Sequence, residues 1–383
     1  SAITIRNNLI SGNDVLTGAA PIYNVSSGIW LDTVAAATIT GNLIGTDPTG
    51  TSALRNTGYG VYIKATTDVI IGGTTAAERN LISANFKDGI NTRSGTNRIT
   101  ILGNYLGTDI TGTVNLGNTD NGIFLADTQN ALIGNSTAAG RNIIAGNKIS
   151  GIRNSSSSGT LIAGNYVGLD VSGMAEMGNT LHGIYVQNSA NVRIGGSAVA
   201  DRNVIAANKV IGVFITTAIS NTRVENNLIG LKADGTTAAG NTQAGIETSL
   251  TNGVVIHNNV ISANKTRGIH LVSSPNTTIT NNIIGLNETG NLELGSSLGG
   301  VDIENGVTGI TISNNTIAGN GLHGVFIITM STNNKDFSAS SLTGNRIGLA
   351  SDAVTPMGND GAGVWIEAST GLVMGGYAAS DAN

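Results

Sequence analysis

Apolar and polar residues alternate in short runs along the whole chain, and each run centres on an asparagine followed two residues later by Ile, Leu or Val. Alternation with a period of two is typical of β-strands. The run recurs at Asn8, Asn42, Asn80, Asn104, Asn142, Asn165, Asn203, Asn227, Asn259, Asn282, Asn315 and Asn345, and Asn383 continues the same spacing 38 residues after Asn345. We interpret these asparagines as one buried column whose amides hydrogen-bond from repeat to repeat.

Each repeat contains two more short apolar segments. One begins with Gly and then Ile or Val, as in Gly60-Val61 and Gly122-Ile123, and another, such as that around Ile101, precedes the next asparagine. We expect glycine at the bend because it adopts positive φ at no steric cost. Three short strands per repeat, without helical periodicity, predict an all-β fold: a parallel β-helix of about twelve coils.

The repeat lengths alternate between long and short. From Asn42 to Asn227 the successive spacings are 38, 24, 38, 23, 38 and 24 residues. The long repeats carry two extra loops, such as Thr46 to Tyr59 and Gly73 to Arg79. Surface loops of this kind cost little closure entropy. Because no change in composition interrupts the pattern, we expect one continuous domain over residues 1–383.

The repeats resemble a known family. The runs GNLIGTDPTGT (Gly41 to Thr51), GNYLGTDITGT (Gly103 to Thr113) and GNYVGLDVSG (Gly164 to Gly173) are similar to repeats of bacterial right-handed parallel β-helix surface proteins, within the pectin-lyase-like superfold. The resemblance implies a right-handed solenoid that is secreted or displayed on a bacterial surface. The superfold also includes polysaccharide lyases and hydrolases, so the fold leaves the function open.

The amino-acid composition limits the kinds of molecules and chemistry that the chain can be expected to use. Charged residues make up 11% of the chain and the net charge is −5, which gives no basic surface for nucleic acid. No apolar run approaches the roughly 20 residues that a membrane-spanning helix needs. There is no cysteine, so disulfides and thiolate metal sites are excluded.

Few residues are candidates for catalysis or metal binding. Asp47, Asp109 and Asp170 recur once per two repeats, about 10 Å apart, which is too far to share a metal ion. Each stands in a D-x-x-G sequence, where capping of a turn is the simpler interpretation and calcium binding the alternative. His182 and His323 precede glycines, but other repeats hold unrelated residues there. We therefore predict no catalytic residues and no required cofactor.

One outward position is rich in aromatic residues. The residue two positions after each repeat glycine should face away from the core. Seven of the 14 aromatic residues occupy it: Trp30, Tyr62, Phe124, Tyr185, Phe214, Phe326 and Trp365. They predict either a surface that binds glycans or a protein partner, or rings covered by the loops of the long repeats.

The leading functional prediction is a non-catalytic structural solenoid outside the cell, such as a filament, sheath, stalk or adhesin segment. The alternative is a glycan-binding or polysaccharide-degrading protein that uses the aromatic positions. Ile3 and Ile5 already alternate as in a strand, and the segment from Gly375 to Asn383 parallels that from Gly195 to Asn203. We therefore expect both ends to stack on copies of the chain or on continuing chain.

Overall fold

The computed structural model describes residues 2–14, 26–217, 221–305, 307–328, 336–376, 378 and 381–383. The chain separates into two compact units, Ser1–Asn203 and Val204–Asn383. In each unit the strands build three parallel sheets, which confirms the predicted all-β parallel β-helix. The single continuous domain expected from the sequence stays a prediction.

The first unit has three stacks of strands, one from each side of its coils. The first sheet contains Ile3–Arg6, Ala37–Thr40, Thr67–Gly72, Asn97–Leu102, Leu132–Ile133, Leu161–Ile162 and Arg193–Gly195. The second contains Leu9–Ile10, Leu43–Ile44, Leu81–Ile82, Tyr105–Leu106, Ile143–Ile144 and Tyr166–Val167. The third contains Ile29–Asp32, Val61–Lys64, Ile90–Thr92, Ile123–Ala126, Ile152–Ser155 and Ile184–Gln187. Two single-turn 3₁₀ helices, Ala138–Gly140 and Val199–Asp201, lie in loops.

The second unit repeats this arrangement. Its first sheet contains Arg223–Glu225, Val255–His257, Thr278–Thr280, Thr311–Ser313, Asp336–Thr343 and Thr370–Met374. Its second sheet contains Val204–Ile205, Leu228–Ile229, Val260–Ile261, Ile283–Ile284, Thr316–Ile317 and Arg346–Ile347. Its third sheet contains Val213–Thr216, Ile246–Ser249, Ile269–Val272, Val301–Glu304, Val325–Ile328 and Val364–Glu367.

Aliphatic side chains stacked in register fill the core. In the second sheet Ile44 pairs with Ile82, and Leu106 pairs with Ile144. All four side chains are 0% exposed. Because every coil places a branched or long aliphatic group at the same level, each side chain packs on its counterparts above and below, so the apolar surface is removed from water along the axis.

The repeat asparagines form a ladder of side-chain amides beside the second sheet. Each Oδ1 accepts hydrogen bonds from the backbone N–H and the Nδ2 of the preceding asparagine, as Asn142 does from Asn104 at 2.9 and 3.2 Å. Each Nδ2 also donates to backbone carbonyls, in Asn142 to that of Ile101 at 2.8 Å. The ladder joins Asn8, Asn42, Asn80, Asn104, Asn142, Asn165 and Asn203 in the first unit. It joins Asn227, Asn259, Asn282, Asn315, Asn345 and Asn383 in the second.

A second asparagine ladder, which we did not predict from the sequence, runs between the second and third sheets. Its amides connect Asn13, Asn56, Asn85, Asn118, Asn147 and Asn179 in the first unit. In the second unit they connect Asn208, Asn241 and Asn264, and then Asn320 and Asn359. Its signal in the sequence is an asparagine five residues after the first-ladder asparagine in short coils and fourteen after it in long coils, except that Ser296 stands fourteen residues after Asn282.

Glycine is needed at the repeat positions for a different reason from the one expected. Gly60 and Gly122 are absent from the residues with positive φ. A Cβ at Gly60 would lie 2.6 Å from the carbonyl oxygen of Gly89 and 2.7 Å from the Ile82 side chain. The expectation that positive φ selects glycine there is therefore wrong: the backbone of the next coil approaches too closely for any side chain.

Nine of the extra residues of each long coil lie between the two ladders, and we call these nine residues the insert. In the first such insert Thr46 and Ala53 form an antiparallel bridge, so the loop closes on itself. Successive inserts also contact each other, because the N–H of Ile110 donates to the carbonyl of Gly50 at 2.9 Å. The inserts thus project from the coil without changing the register of either ladder.

We expect Asn142→Leu to reduce the free energy of unfolding by about 1–3 kcal/mol, because it leaves the buried backbone N–H of Asn104 without its acceptor and removes one of the donors to Asn165 Oδ1 and to the Ile101 carbonyl. Denaturant unfolding followed by circular dichroism measures the change. Asn115→Leu is the control, since Asn115 is exposed and belongs to neither ladder. Equal losses in the two variants would contradict the importance of the ladder.

Candidate functional site

The outer face of the third sheet collects most side chains that could bind a ligand. Residues two positions after each repeat glycine pair in register from coil to coil, and we call them the outer column. In the first unit the outer column contains Trp30, Tyr62, Asn91, Phe124, Arg153 and Tyr185. In the second unit it contains Phe214, Glu247, His270, Asp302, Phe326 and Trp365.

The seven aromatic residues predicted to face outward differ in exposure. Trp30 and Trp365 are 40% and 46% exposed, whereas Tyr62 is only 5% exposed. Phe124, Tyr185, Phe214 and Phe326 are half-buried. The structure thus brings the aromatic residues of each unit into one column, but it leaves only the two tryptophans largely open to solvent.

In the first unit aromatic rings and cationic side chains cover one another. The Trp30 ring stacks on Tyr62 with 4.1 Å between centroids, and burial raises the pKa of the Tyr62 phenol. The Arg93 guanidinium lies 5.2 Å from the Phe124 centroid. Arg153 lies 4.9 Å from the same centroid and 5.3 Å from that of Tyr185. Cation–π contacts of this kind contribute roughly 0.5–1 kcal/mol each at partly exposed sites.

In the second unit the middle of the outer column is a charged cluster. His270 Nδ1 lies 3.2 Å from Glu247 on the preceding coil, and His270 Nε2 lies 3.2 Å from Glu304 on the following coil. Arg267 donates from Nε to Asp302 Oδ2 at 2.5 Å and has Nη2 3.6 Å from Glu304. Three carboxylates, one imidazole and one guanidinium therefore meet across three coils.

Asp302 is the most buried acid of this cluster, at 4% exposure. Burial raises the pKa of its carboxyl group, and the hydrogen bond from Arg267 opposes that shift. Asp302 Oδ1 is buried and accepts no hydrogen bond from the residues that the structure describes. A histidine between two carboxylates is a group that can transfer protons, so this cluster contains the residue types that acid–base chemistry needs.

The sequence interpretation did not identify this cluster. Glu247, His270 and Asp302 are at consecutive outer-column positions, so their proximity follows once the coils are aligned. Arg267 and Glu304 lie at different offsets from the glycines, three residues before and two after an outer-column position. Alignment of all outward positions, rather than the aromatic ones alone, would have found the group.

Asp47, Asp109 and Asp170 each cap a turn of an insert. Asp109 Oδ1 accepts from the N–H groups of Thr113 and Val114, both at 3.0 Å, and its carboxylate accepts from the Thr111 hydroxyl. Burial acts to raise the pKa of Asp109, but these hydrogen bonds outweigh it and lower the pKa. Asp47 and Asp170 accept equivalent bonds. The structure does not bring the three acids together, because each lies in its own insert.

The second unit caps the same turn in other ways. Asn287 replaces the aspartate, and its Oδ1 accepts from the N–H of Asn291 at 2.9 Å. In the other two inserts an aspartate two residues later, Asp234 or Asp352, accepts from backbone N–H groups instead. The loss of the aspartate from the repeat motif in this half of the chain is thus compensated locally.

The other candidates lie near the outer column. The rings of His182 and Tyr185 are 5.5 Å apart, and His323 Nδ1 accepts from the Ala362 N–H at 3.0 Å. Within the described parts of the chain, no group of three or more His, Cys, Asp or Glu is placed to hold a metal ion. The same parts contain no helix that is long and apolar enough to cross a membrane.

Comparisons with known proteins agree with this architecture. A family model described as a right handed beta helix region matches residues 168–342. The A-module of mannuronan C-5 epimerase AlgE6 from Azotobacter vinelandii has 14% sequence identity and a TM-score of 0.57, over 97% of this chain and 89% of that module. The Dettilon tailspike protein has 16% identity and a TM-score of 0.49, over 87% of this chain and 62% of its own.

The periplasmic alginate epimerase AlgG has 14% identity and a TM-score of 0.40, over 97% of this chain and 84% of its own. A comparison with curated proteins found no match. At these identities the likeness concerns the fold alone. The chain is a right-handed parallel β-helix repeat protein, as the resemblance of its repeats implied.

We expect the capped turns to make the protein less stable in acid. Hydrogen bonds from the Thr355 hydroxyl and from the N–H groups of Thr355 and Val354 lower the pKa of Asp352 from 3.8 to about 2. For Asp234, burial acts to raise the pKa, but hydrogen bonds from Thr237 and Thr236 lower it, also to about 2. A lowered folded-state pKa gives stability that is complete above pH 3.8 and is lost as the pH falls towards about 2.

The double variant Asp234→Asn, Asp352→Asn should therefore show a smaller fall in melting temperature across this acidic window than the unmodified chain. Asparagine can cap the turn, as Asn287 does. Glu293→Gln, a change at an exposed carboxylate outside the turn, is the control. An unchanged acid dependence in the double variant would rule out the capping carboxylates as its source.

Proposed function

We propose that the chain is a non-catalytic structural β-helix of the bacterial cell exterior, such as a segment of a filament, sheath, stalk or adhesin. The observation that carries the proposal is that the outward groups best suited to chemistry are engaged with one another. His270 lies between Glu247 and Glu304, and Arg267 is paired with Asp302. An ion-paired network of this kind joins adjacent coils and engages the charged groups of this cluster with one another rather than with a substrate.

The internal architecture supports the same role. The first ladder of buried amides and the stacked aliphatic residues give neighbouring coils of each unit the same kinds of contact, and the second ladder adds to them except where Ser296 takes the place of its asparagine. Further coils can be added to such an arrangement with the same contacts between neighbours, as suits an elongated scaffold. The location outside the cell rests on the resemblance of the repeats to bacterial surface proteins. Association through the ends of the solenoid stays a prediction.

We expect the full chain to leave acidic and neutral polysaccharides unchanged, both in chain length and in the configuration of their sugars. Product size by chromatography, absorbance of unsaturated ends and proton NMR of the polymer measure this. The variant His270→Asn, Glu304→Gln removes the groups best placed for proton transfer and is the matched control. Activity that this variant abolishes would overturn the proposal and identify the charged cluster as an active site.

A second candidate function is glycan binding, and the exposed indole rings favour it. Trp30 stacked on Tyr62 offers a flat aromatic surface, and Trp365 is exposed in the second unit. Sugar rings stack on such surfaces. The fold is compatible with polysaccharide ligands, since the Azotobacter vinelandii module of similar architecture is a mannuronan epimerase.

If this candidate is correct, a binding glycan should change tryptophan fluorescence, and Trp30→Ala should weaken binding about tenfold, the equivalent of about 1.4 kcal/mol. Phe86→Ala is the control, because Phe86 is 53% exposed but lies outside the outer column. Screening on immobilised glycans followed by fluorescence titration measures the affinities. Equal affinities of both variants for every glycan that binds would exclude stacking on Trp30.

A further inference from the structure

The ring of His270 lies between carboxylates of the two neighbouring coils. Nδ1 is 3.2 Å from Glu247 on the preceding coil, and Nε2 is 3.2 Å from Glu304 on the following coil. Nε2 is buried and makes no hydrogen bond to the described residues, so its contact with Glu304 is one of charge alone. Three consecutive coils of the second unit are therefore connected through this one side chain.

Two other charged groups face the ring from the same coils, Arg267 and Asp302. Arg267 Nε donates to Asp302 Oδ2 at 2.5 Å, and its Nη2 is 3.6 Å from Glu304. Burial raises the pKa of the Asp302 carboxyl group, and the hydrogen bond from Arg267 opposes that shift. The side chains of His270, Glu247 and Glu304 are 12%, 23% and 15% exposed, so salt screens their charges less than those of a pair on the open surface.

The protonation state of His270 decides which of its contacts are attractive. An imidazolium has an N–H on both ring nitrogens, so it attracts the carboxylates on both sides. A neutral imidazole has an N–H on one nitrogen only, and the lone pair of the other nitrogen then faces a carboxylate. Histidine changes between these forms at about pH 5–8. With a neutral ring, the carboxylates of Glu247, Asp302 and Glu304 face a single guanidinium, that of Arg267.

We propose that His270 is a pH-dependent bridge, which holds the coils of Glu247 and Glu304 to its own coil when the ring is protonated and loses one of the two contacts when the ring is neutral. The unfolded chain makes neither ion pair. The bridge therefore stabilises the folded state below about pH 6, and this contribution is lost as the pH rises to about 8. The inference rests on the proposed structural role, because it concerns the cohesion between coils.

Thermal unfolding of the full chain between about pH 5.5 and pH 9 tests the bridge. At the acidic end the unmodified protein should melt about 2–4 °C above the variant His270→Gln, and this advantage should disappear at the alkaline end. Glutamine can donate a hydrogen bond to one of the two glutamates, but it carries no charge at any pH. Scanning calorimetry at constant, low ionic strength measures both profiles.

A second variant identifies the partners of the ring. Glu247→Gln, Glu304→Gln removes both carboxylates and should lack the loss of stability with rising pH, so it carries the test even if His270→Gln alone does not fold. When His270→Gln is added to this double variant, the melting temperature should change by the same amount at every pH in the range, because neutral amides do not form ion pairs with the protonated ring.

His323→Gln is the matched control, at a second histidine beside the outer column of the second unit. His323 Nδ1 accepts from the N–H of Ala362 at 3.0 Å, which a protonated nitrogen cannot do. The advantage of the unmodified protein over this variant should therefore not decline as the pH rises.

Hydrogen exchange followed by mass spectrometry locates the effect. After correction for the intrinsic pH dependence of exchange, protection should fall from acidic to alkaline pH in the three strands that the ring connects, Ile246–Ser249, Ile269–Val272 and Val301–Glu304. Third-sheet strands of the first unit, such as Ile123–Ala126, should keep their protection.

Three outcomes would overturn the inference: parallel pH profiles of the unmodified protein and His270→Gln, an undiminished pH-dependent effect of His270 in the double glutamine variant, or a loss of protection that is equal in both units. Any of them, without conversion of a polysaccharide, would contradict only the bridge. Conversion of a polysaccharide that His270→Gln abolishes would instead contradict the structural role from which the inference starts.

Discussion

The structure depends on one interaction, the hydrogen bond between stacked asparagine amides. A coil changes direction three times, and the asparagine side chains at two of its corners are buried and need hydrogen-bond partners. Asn142 Nδ2 donates to the carbonyl of Ile101, which also accepts from the N–H of Gly134, and the same amide bonds Asn104 and Asn165. Buried polar groups are costly when unpaired, so the ladders make the turns possible and hold the coils in register.

The fold could be predicted from the sequence because a constant spacing between residues determines the register of its strands. Asn42, Asn80 and Asn104 each precede a buried aliphatic residue by two positions, and that offset does not vary when loops are inserted elsewhere. The second ladder was missed because its distance from the first changes with the insert: Asn85 follows Asn80 by five residues, but Asn56 follows Asn42 by fourteen. Because the distance between the two ladder asparagines varies with the length of the insert, the second ladder does not stand out as a regular repeat in the sequence.

The outer face was harder to predict, since its chemistry depends on pairs of coils. The outward direction of Trp30 follows from strand alternation, but the near-complete burial of Tyr62 depends on the ring above it and on its other neighbours. The meeting of His270 with Glu304 likewise requires residues 34 positions apart to occupy adjacent coils at different offsets. Periodicity gives the side of the sheet on which a residue lies, whereas coverage and charge pairing depend on the partners in other coils.

The position of the nine-residue inserts has a consequence for how such a chain can change. Each insert starts and ends between the two ladders, so its length does not affect the register of the ladders, although its first residues, such as Leu169, are buried. Duplication of a pair of coils would extend the solenoid while preserving every buried contact type, and each new copy would bring a loop that is free to diverge. Genetic variation can therefore accumulate on one surface while the interior stays the same, and the protein can acquire new surface properties without refolding its scaffold.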